Sequence, residues 1–470
     1  MSRKILPELS ALVLTLVLVR GLQAQVGGPP AHALTFEEAL NYALEHYPAV
    51  RASLEQVAAA RAGIPLARTQ YLPYLSGVYQ DGRATQNQVA GIWLPTSITP
   101  AVEGPVGASS SGRSFWNNQT AVLLSWEPID FGLRAAMVGG AKSATDKSTA
   151  DLAVTKLQVA TAVGDYFLSA LASHQSVVAA QANVDRWQVF AKSVRTLVDN
   201  ALRPGADASR ADAQLALART QLYQAQAGEQ ATLATLAALM GMAGNEVQLE
   251  AGNLLHPPPV DALPSRAPTD NPLARDQMAA VRQVEAQEKV LSRTDYPRVF
   301  LGAEGFGRGS EIPNNGSIAG NWDGLAPGRG NWVTGLTITF PNVFDFKALS
   351  AEKQIAKANE RTERALYDRT IQDVTGRLQA ARAELKSAQL IAQQTPIELA
   401  AARASETQSR ARYAASLATL VEVADSEGLL AQAEMDDAVA RLNVWHRLFN
   451  VAYAQGDLQP FLNVLRGSNP

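Results

Sequence analysis

The chain has 470 residues, 47% of them hydrophobic but only 6% aromatic, with a formal net charge of −3 and no cysteine. A charge this near neutral excludes an electrostatic grip on nucleic acid, so no nucleic-acid partner is expected. The missing cysteine excludes disulfides, thiolate metal sites, cysteine nucleophiles and a lipid anchor on cysteine.

The chain opens with Arg3 and Lys4 before an apolar run, Ala11–Val19, which Arg20 closes ahead of a small residue at Ala24. That order predicts a secretory signal peptide over residues 1–24, with an uncleaved anchor as the alternative. Its removal takes away three basic residues and one acid, leaving a net −5. No later segment is oily enough for a membrane helix, so membrane insertion must use strands.

The remainder repeats itself, and repetition organises it. A first repeat is expected over 25–255, a proline-rich linker over 256–271, a second repeat over 272–456 and a tail over 457–470. Pro48 and Pro73 lie 25 residues apart, as do Pro272 and Pro297, and each pair frames a helical stretch rich in Ala, Arg and Gln. In the first repeat a strand–loop–strand insert follows at about 73–127, a long helix at about 133–202 and a return helix at about 206–240. The second repeat has its insert at about 297–341, its long helix at about 347–412 and its return helix at about 417–456. "EPIDFG" and "PNVFDF" place Asp130-Phe131 and Asp345-Phe346 at the head of each long helix.

"GLTITF" (Gly335–Phe340) alternates Leu336, Ile338 and Phe340 with Thr337 and Thr339, the pattern of a strand with two different environments. The long helices carry another period. Positions 177, 180, 184, 187, 191, 194, 198 and 201 are Val, Ala, Val, Trp, Ala, Val, Val and Ala, a coiled-coil seam. Such a helix would measure roughly 100 Å at 1.5 Å per residue. "RPGAD" (Arg203–Asp207) supplies one turn and "YAASLAT" (Tyr413–Thr419) the other, while Pro396 predicts a kink or local break. The fold class is mainly α with a small β part.

No catalytic constellation can be assembled. The five histidines, His32, His46, His174, His256 and His446, include no pair at metal-ligand spacing on one helix face. The glycine string Leu301–Ser310 lacks the GK[ST] ending of a phosphate loop, and a glycine-bearing barrel strand explains it better. Neither an enzyme nor a cofactor or metal is expected. Five of the seven tryptophans, Trp93, Trp116, Trp126, Trp322 and Trp332, fall in or beside the two inserts. Aromatic rings collect where a membrane barrel meets lipid headgroups; ordinary hairpin packing is the alternative. Four strands cannot close a barrel, and open edges in lipid cost several kcal/mol per unpaired group. Several chains must therefore share one barrel, and three would supply twelve strands.

The signal peptide, the duplication, "PIDFG" and "PNVFDF", and "ARYAASLATLVEVADSEGLLAQAE" (Ala411–Glu434) resemble the TolC family of outer-membrane efflux proteins. The resemblance covers essentially the whole mature chain. It implies a homotrimer: a twelve-stranded β-barrel in the lipid of the Gram-negative outer membrane, continued by a helical α-barrel through the periplasm. It also implies a periplasmic adaptor (membrane fusion) protein and an inner-membrane pump, proton-driven or ABC type, that drive drugs or toxins outward. The family's periplasmic gate maps onto Tyr413, Ser416, Glu422 and Asp425, with Ser416 replacing the usual glycine and Ala418 standing where some members place a gating arginine. Glu422 and Asp425 lie one turn apart, so a trimer would stack two rings of three carboxylates that hold cations; a solvated acidic face is the alternative. In the first half the glycine is expected at Gly205, and Asp212 falls one place late because Ala211 takes the acid's position. The turns Pro204, Gly205, Ala206, Asp207, Ser416 and Leu417 are expected to face the adaptor. A passive duct without a lipid anchor is the leading expectation. A type I protein-secretion duct and a poreless secreted coiled-coil scaffold are the alternatives.

Overall fold

The computed structural model describes residues 32–85, 112–259, 263–312, 322–341 and 346–467. The expected signal peptide, Trp93 and Asp345 lie outside them. Eight helices and four strands follow one another among the described residues: α1 (Phe36–His46), α2 (Pro48–Thr69), β1 (Tyr74–Thr85), β2 (Ser114–Ile129), α3 (Leu133–Asp199) and α4 (Gly205–Leu239), then α5 (Pro272–Leu291), β3 (Arg298–Ser310), β4 (Arg329–Thr339), α6 (Phe346–Ala414), α7 (Leu420–Gln455) and α8 (Gln459–Leu465).

Local chemistry sets the helix starts. Thr35 caps α1 in a reciprocal box with Glu38, and Asn271 caps α5 with Pro272 at the first helical position, where a missing N–H is harmless. α3 and α6, at 67 and 69 residues, each extend about 100 Å. α4 folds back on α3 and α7 on α6. α2 and α5 flank the ends of the long helices nearest the sheet, and α3 also packs on α7. α6 runs unbroken through Pro396, which corrects the expected break. The adjoining Thr395 is buried and donates its hydroxyl to Asp437 of α7 at 3.2 Å, so packing holds a turn that proline would loosen.

Where the structure pinches, residue size decides. Gly164 of α3 faces the Phe449 ring of α7, and a Cβ there would lie 2.3 Å from it. Around that contact Phe36, Phe167, Phe449 and Phe461 form one aromatic cluster, with Phe36 5.3 to 5.5 Å from the other three centroids. Phe461 belongs to α8, so the expected tail contains a helix that completes the main core. Both repeats and the chain's last helix meet there.

The two helical turns share a backbone device. α3 ends at Asp199, three residues short of expectation, and Ala201 enters the left-handed region at φ 58°. Ala201 is exposed and drops out of the seam, whereas Val184, Trp187, Ala191 and Val194 are buried in it. In the second turn Ser416 has φ 62°. Each turn closes with a long-reach N–H, Leu202 to the Leu197 carbonyl at 2.8 Å and Leu417 to Arg412 at 2.8 Å, the Schellman pattern. Gly205 instead starts α4 and has no positive φ, which corrects its assignment as the turn glycine. The helix ends, the left-handed residues and the helix starts of the two turns all lie 215 residues apart.

A side chain in the left-handed region is disfavoured by about 1 kcal/mol. Ala201→Gly and Ser416→Gly are each expected to raise the apparent Tm of the helical part, whereas Gly205→Ala leaves it unchanged or slightly higher. Thermal melts followed by circular dichroism check this, and equal behaviour of all three variants would contradict it.

Candidate functional site

The sheet is a four-stranded antiparallel meander in the order β1-β2-β3-β4, so β1 and β4 carry its two free edges among the described residues. Its register sorts the side chains. Leu75, Val122, Leu124, Trp126, Leu301, Leu336 and Ile338 share one face, all at least 41% exposed. The opposite face is mostly polar, with Ser76, Gln80, Asn117, Gln119, Glu304, Arg308, Thr337 and Thr339, and Val78, Phe115, Leu123, Phe300, Phe306 and Val333 stand among them. An exposed oily face backed by a polar one is the pattern of a barrel wall between lipid and water.

Trp116 and Trp126 stand near the two ends of β2 on the oily face, ten residues apart. At about 3.3 Å per residue and a tilt of about 40°, they are separated by roughly 25 Å along a barrel axis; Val122 and Leu124 fill the half next to Trp126, while Asn118, which donates to Asp81 at 2.8 Å, stands beside Trp116. Arg83 lies over the Trp116 ring at 5.2 Å, and Trp126 donates its Nε1–H to the Tyr71 carbonyl at 3.1 Å. Trp332 pairs with Gly305, which pairs in turn with Val122, so it stands between the levels of Trp116 and Trp126, and Trp322 is exposed between β3 and β4. The glycine string lies in β3. Gly307 and Gly309 sit under the segment before β4, and a Cβ at Gly309 would lie 2.0 Å from the Ala326 carbonyl oxygen.

A tight junction turns sheet into helix. Phe131 and Gly132 adopt φ 50° and 94°, bending the chain between β2 and α3. Asp130 accepts the Gly132 N–H at 3.0 Å, the Arg134 N–H at 2.6 Å and Arg134 Nε at 2.8 Å. Burial works against that carboxylate, yet these donors hold its pKa below the usual carboxylate value. Arg134 is 4% exposed, donates to the Gln70 carbonyl at 3.1 Å and lies over the Tyr71 ring at 4.7 Å. "PIDFG" is thus the local code for re-aiming the chain.

At the far end of the helices the two turns meet. Tyr413 is 2% exposed and its hydroxyl donates to Asp207 at 3.0 Å. Arg203 donates to the Tyr413 carbonyl and lies 4.2 Å over its ring. Burial, then the bond to Asp207, pushes the Tyr413 pKa up to about 12. Three residues from two turns thus make one contact. Pro204, Gly205, Ala206, Ser416 and Leu417 are exposed around it. Glu422 lies 3.1 Å from Arg412, and Asp425 is exposed on the same helix. Ala418 is buried, and the equivalent position of the first turn, 215 residues earlier, holds Arg203.

The same offset corrects the acid of the first turn. Glu422 matches Asp207, while Asp212 matches Glu427 and pairs with Arg195 on the surface. Sequence reasoning placed Asp207 in a turn but missed its bond to Tyr413. It also missed Arg186, Arg410 and the buried Glu427, although the matched spacing of Arg195 and Asp212 to Arg410 and Glu427 was available as a signal.

Among the described residues no helix is long and apolar enough to cross a membrane. The model of the outer membrane efflux protein family matches residues 39–242 and 263–456. The chain is 29% identical over 374 residues to Protein CyaE of Bordetella pertussis, covering 77% of this chain and 71% of that protein. Among solved structures it resembles VceC of Vibrio cholerae, at a TM-score of 0.71 and 16% identity over 90% of this chain and 96% of that one. It also resembles the open state of the MtrE outer membrane channel of Neisseria gonorrhoeae, at a TM-score of 0.71 and 18% identity, over 90% and 89% of the two chains. The mainly helical fold with its four-stranded sheet is shared with these structures, and the chain belongs to the outer membrane efflux protein family.

Proposed function

We propose that three copies of this chain form a passive exit duct: a twelve-stranded barrel in the outer membrane, continued by a helical tube in the periplasm. One observation carries the reading: a four-stranded sheet with an exposed oily face and free edges at β1 and β4. A bilayer tolerates no such edge, so copies must pair β4 of one chain with β1 of the next. Trp116, Trp126 and Trp322 then anchor the rims at headgroup level.

Energy comes from an inner-membrane pump, proton-driven or ABC type, and a periplasmic adaptor couples it to the turns at Pro204–Asp207 and Ser416–Leu417. The cargo is small molecules such as drugs and toxins. In the closed state the contact of Arg203, Tyr413 and Asp207 holds the second turn against the first. Arg203, which stands in the first turn where Ala418 stands in the second, makes its bond to Tyr413 within one chain. Glu422 and Asp425 of three copies ring the constriction with carboxylates and attract cations.

Cross-linking of the purified protein in proteoliposomes is expected to give a ladder that stops at three copies. In the same preparation Thr337→Cys reacts with a water-soluble thiol reagent and Leu336→Cys does not, the native chain supplying no background thiol. A chain that is soluble without detergent and labels at both positions would favour the poreless scaffold.

Changing Glu422 and Asp425 together to Ala is expected to raise planar-bilayer leak conductance and to weaken block by divalent cations. An unaltered pore would remove both residues from the constriction. Restored export of polypeptide but not of small molecules in a deletion strain would point to protein secretion.

Tyr413 gives the turns a pH dependence. Its folded-state pKa of about 12 lies above the ordinary 10.0, so the neutral phenol is favoured by the closed contact. The stabilisation is fully present below pH 10 and is lost as pH rises through about 12. The difference between wild-type and Tyr413→Phe tyrosinate titrations should show one phenol ionising at about 12, and a difference curve centred near 10 would contradict the buried contact.

A further inference from the structure

The polar face of the sheet treats its arginines differently at its two ends. Near the helices, Arg298 of β3 is neutralised by Glu127 of β2, with Nε donating at 2.6 Å and Nη2 at 2.8 Å. Toward the other end of β3, Arg308 stands directly opposite Arg329 of β4. The register carries that row across the whole sheet, so Gln80, Gln119, Arg308 and Arg329 lie side by side on one face of four strands. The next row toward the helices holds Val78, Ala121, Phe306 and Asn331, and the next row away from them Gly82, Asn117 and Ser310. None of these residues is an acid. The carboxylate of β3 on this face, Glu304, lies four residues from Arg308, about 13 Å along the strand.

Like charges directly opposite one another on a sheet repel, and stability alone would favour an acid or an amide there, as the chain provides for Arg298. Arg329 is exposed and Arg308 half-buried, so a ligand can reach the pair. A guanidinium only donates, and two of them beside two carboxamides present positive charge and a row of N–H groups. An anion with several oxygens accepts from both forks and turns the repulsion into two attractions. Asn117, one row on and 8% exposed, keeps its Oδ1 without a hydrogen-bond partner, and a half-turn of that amide puts two further donors in its place.

In the twelve-stranded barrel this face lines the lumen. Strands about 4.8 Å apart and tilted about 40° give a wall radius of roughly 12 Å, so a side chain as long as arginine reaches well toward the axis. The row crosses β2 three residues from Trp116 on the helix side, about 10 Å along the strand, which places it inside the barrel and away from lipid headgroups. Resting on the duct reading above, we propose that Arg308 and Arg329 of three copies form an anion site in the barrel lumen. It takes ligands bearing two or more phosphate or carboxylate groups, with Gln80 and Gln119 as neutral donors. Its sign is opposite to that of Glu422 and Asp425, so cations are drawn to the turns and multivalent anions are held near the exit.

Block of single-channel current by tripolyphosphate in planar bilayers tests this, each variant being compared with its own current before addition. Added on the barrel side, tripolyphosphate should block the wild type, and the block should weaken as salt is raised. Loss of a charge-assisted hydrogen bond predicts a block constant about tenfold higher or more in Arg308→Gln with Arg329→Gln, and a smaller rise in the corresponding double lysine variant. Arg83→Gln should leave the block unaltered, because Arg83 lies on the opposite face over Trp116. Block from the barrel side alone marks an anion of the medium as the occupant, and block from the turn side as well marks an exported one; both support the site. A second measurement is independent of block: Arg308→Cys, in the otherwise cysteine-free chain, should react faster with a negatively charged methanethiosulfonate than with a positively charged one. If tripolyphosphate fails to block the wild type, blocks the double glutamine variant equally well, or if the positively charged reagent reacts faster, the anion site is overturned and the duct stands. If neither the wild type nor any variant conducts, both are overturned.

Discussion

An unpaired backbone group has nothing to bond to inside a lipid bilayer, and the architecture follows from that single prohibition. The meander offers two free edges and an oily face, neither stable alone in water or in lipid. Copies of the chain can satisfy both at once, each lending its β4 edge to a neighbour's β1. The junction between β2 and α3 sets how the helices leave the sheet. Asp130, Arg134 and the left-handed Phe131 and Gly132 leave the chain little choice of exit direction.

Length is the second consequence. Helices of about 100 Å cannot fold into a compact domain, so each long helix gathers shorter partners end to end along its sides. Small residues make this possible. Gly164 lets Phe449 of α7 approach α3 where both repeats, α1 and α8 meet, and four phenylalanines and Trp445 pack together at that junction. Toward the turns the packing thins to alanine, valine and a few rings, and polar bonds take over the work of orientation.

Those polar bonds are where the two repeats differ. Both turns use the same Schellman ending with a left-handed residue that is not glycine, and both hairpins keep an arginine–acid pair at the same place. Some exceptions stay within the second hairpin, such as Arg410 with Glu406, and others join one hairpin to the other: Arg203 and Asp207 on Tyr413, and Arg186 on Glu427. Duplication supplies the frame, and departures from it supply the contacts between hairpins.

The order of elements, the repeat, the two-faced strands and the need for several copies were all legible in the sequence, because each rests on short-range periodicity or on the plain chemistry of lipid. Leu336, Ile338 and Phe340 announced their face by alternation alone. What local pattern could not supply was the outcome of contacts between distant segments. Pro396 stays helical because Thr395 is tied to α7, Ala201 rather than Gly205 makes the first turn, and the tail becomes a helix because Phe461 finds Phe36 and Phe449. The bonds of Asp207 to Tyr413 and of Arg186 to Glu427 bridge 206 and 241 residues of chain, and no local preference carries information over that distance. Only the tertiary structure brings those partners within reach, because side-chain partners are chosen by packing and burial, whereas periodicity specifies only the face on which a residue lies.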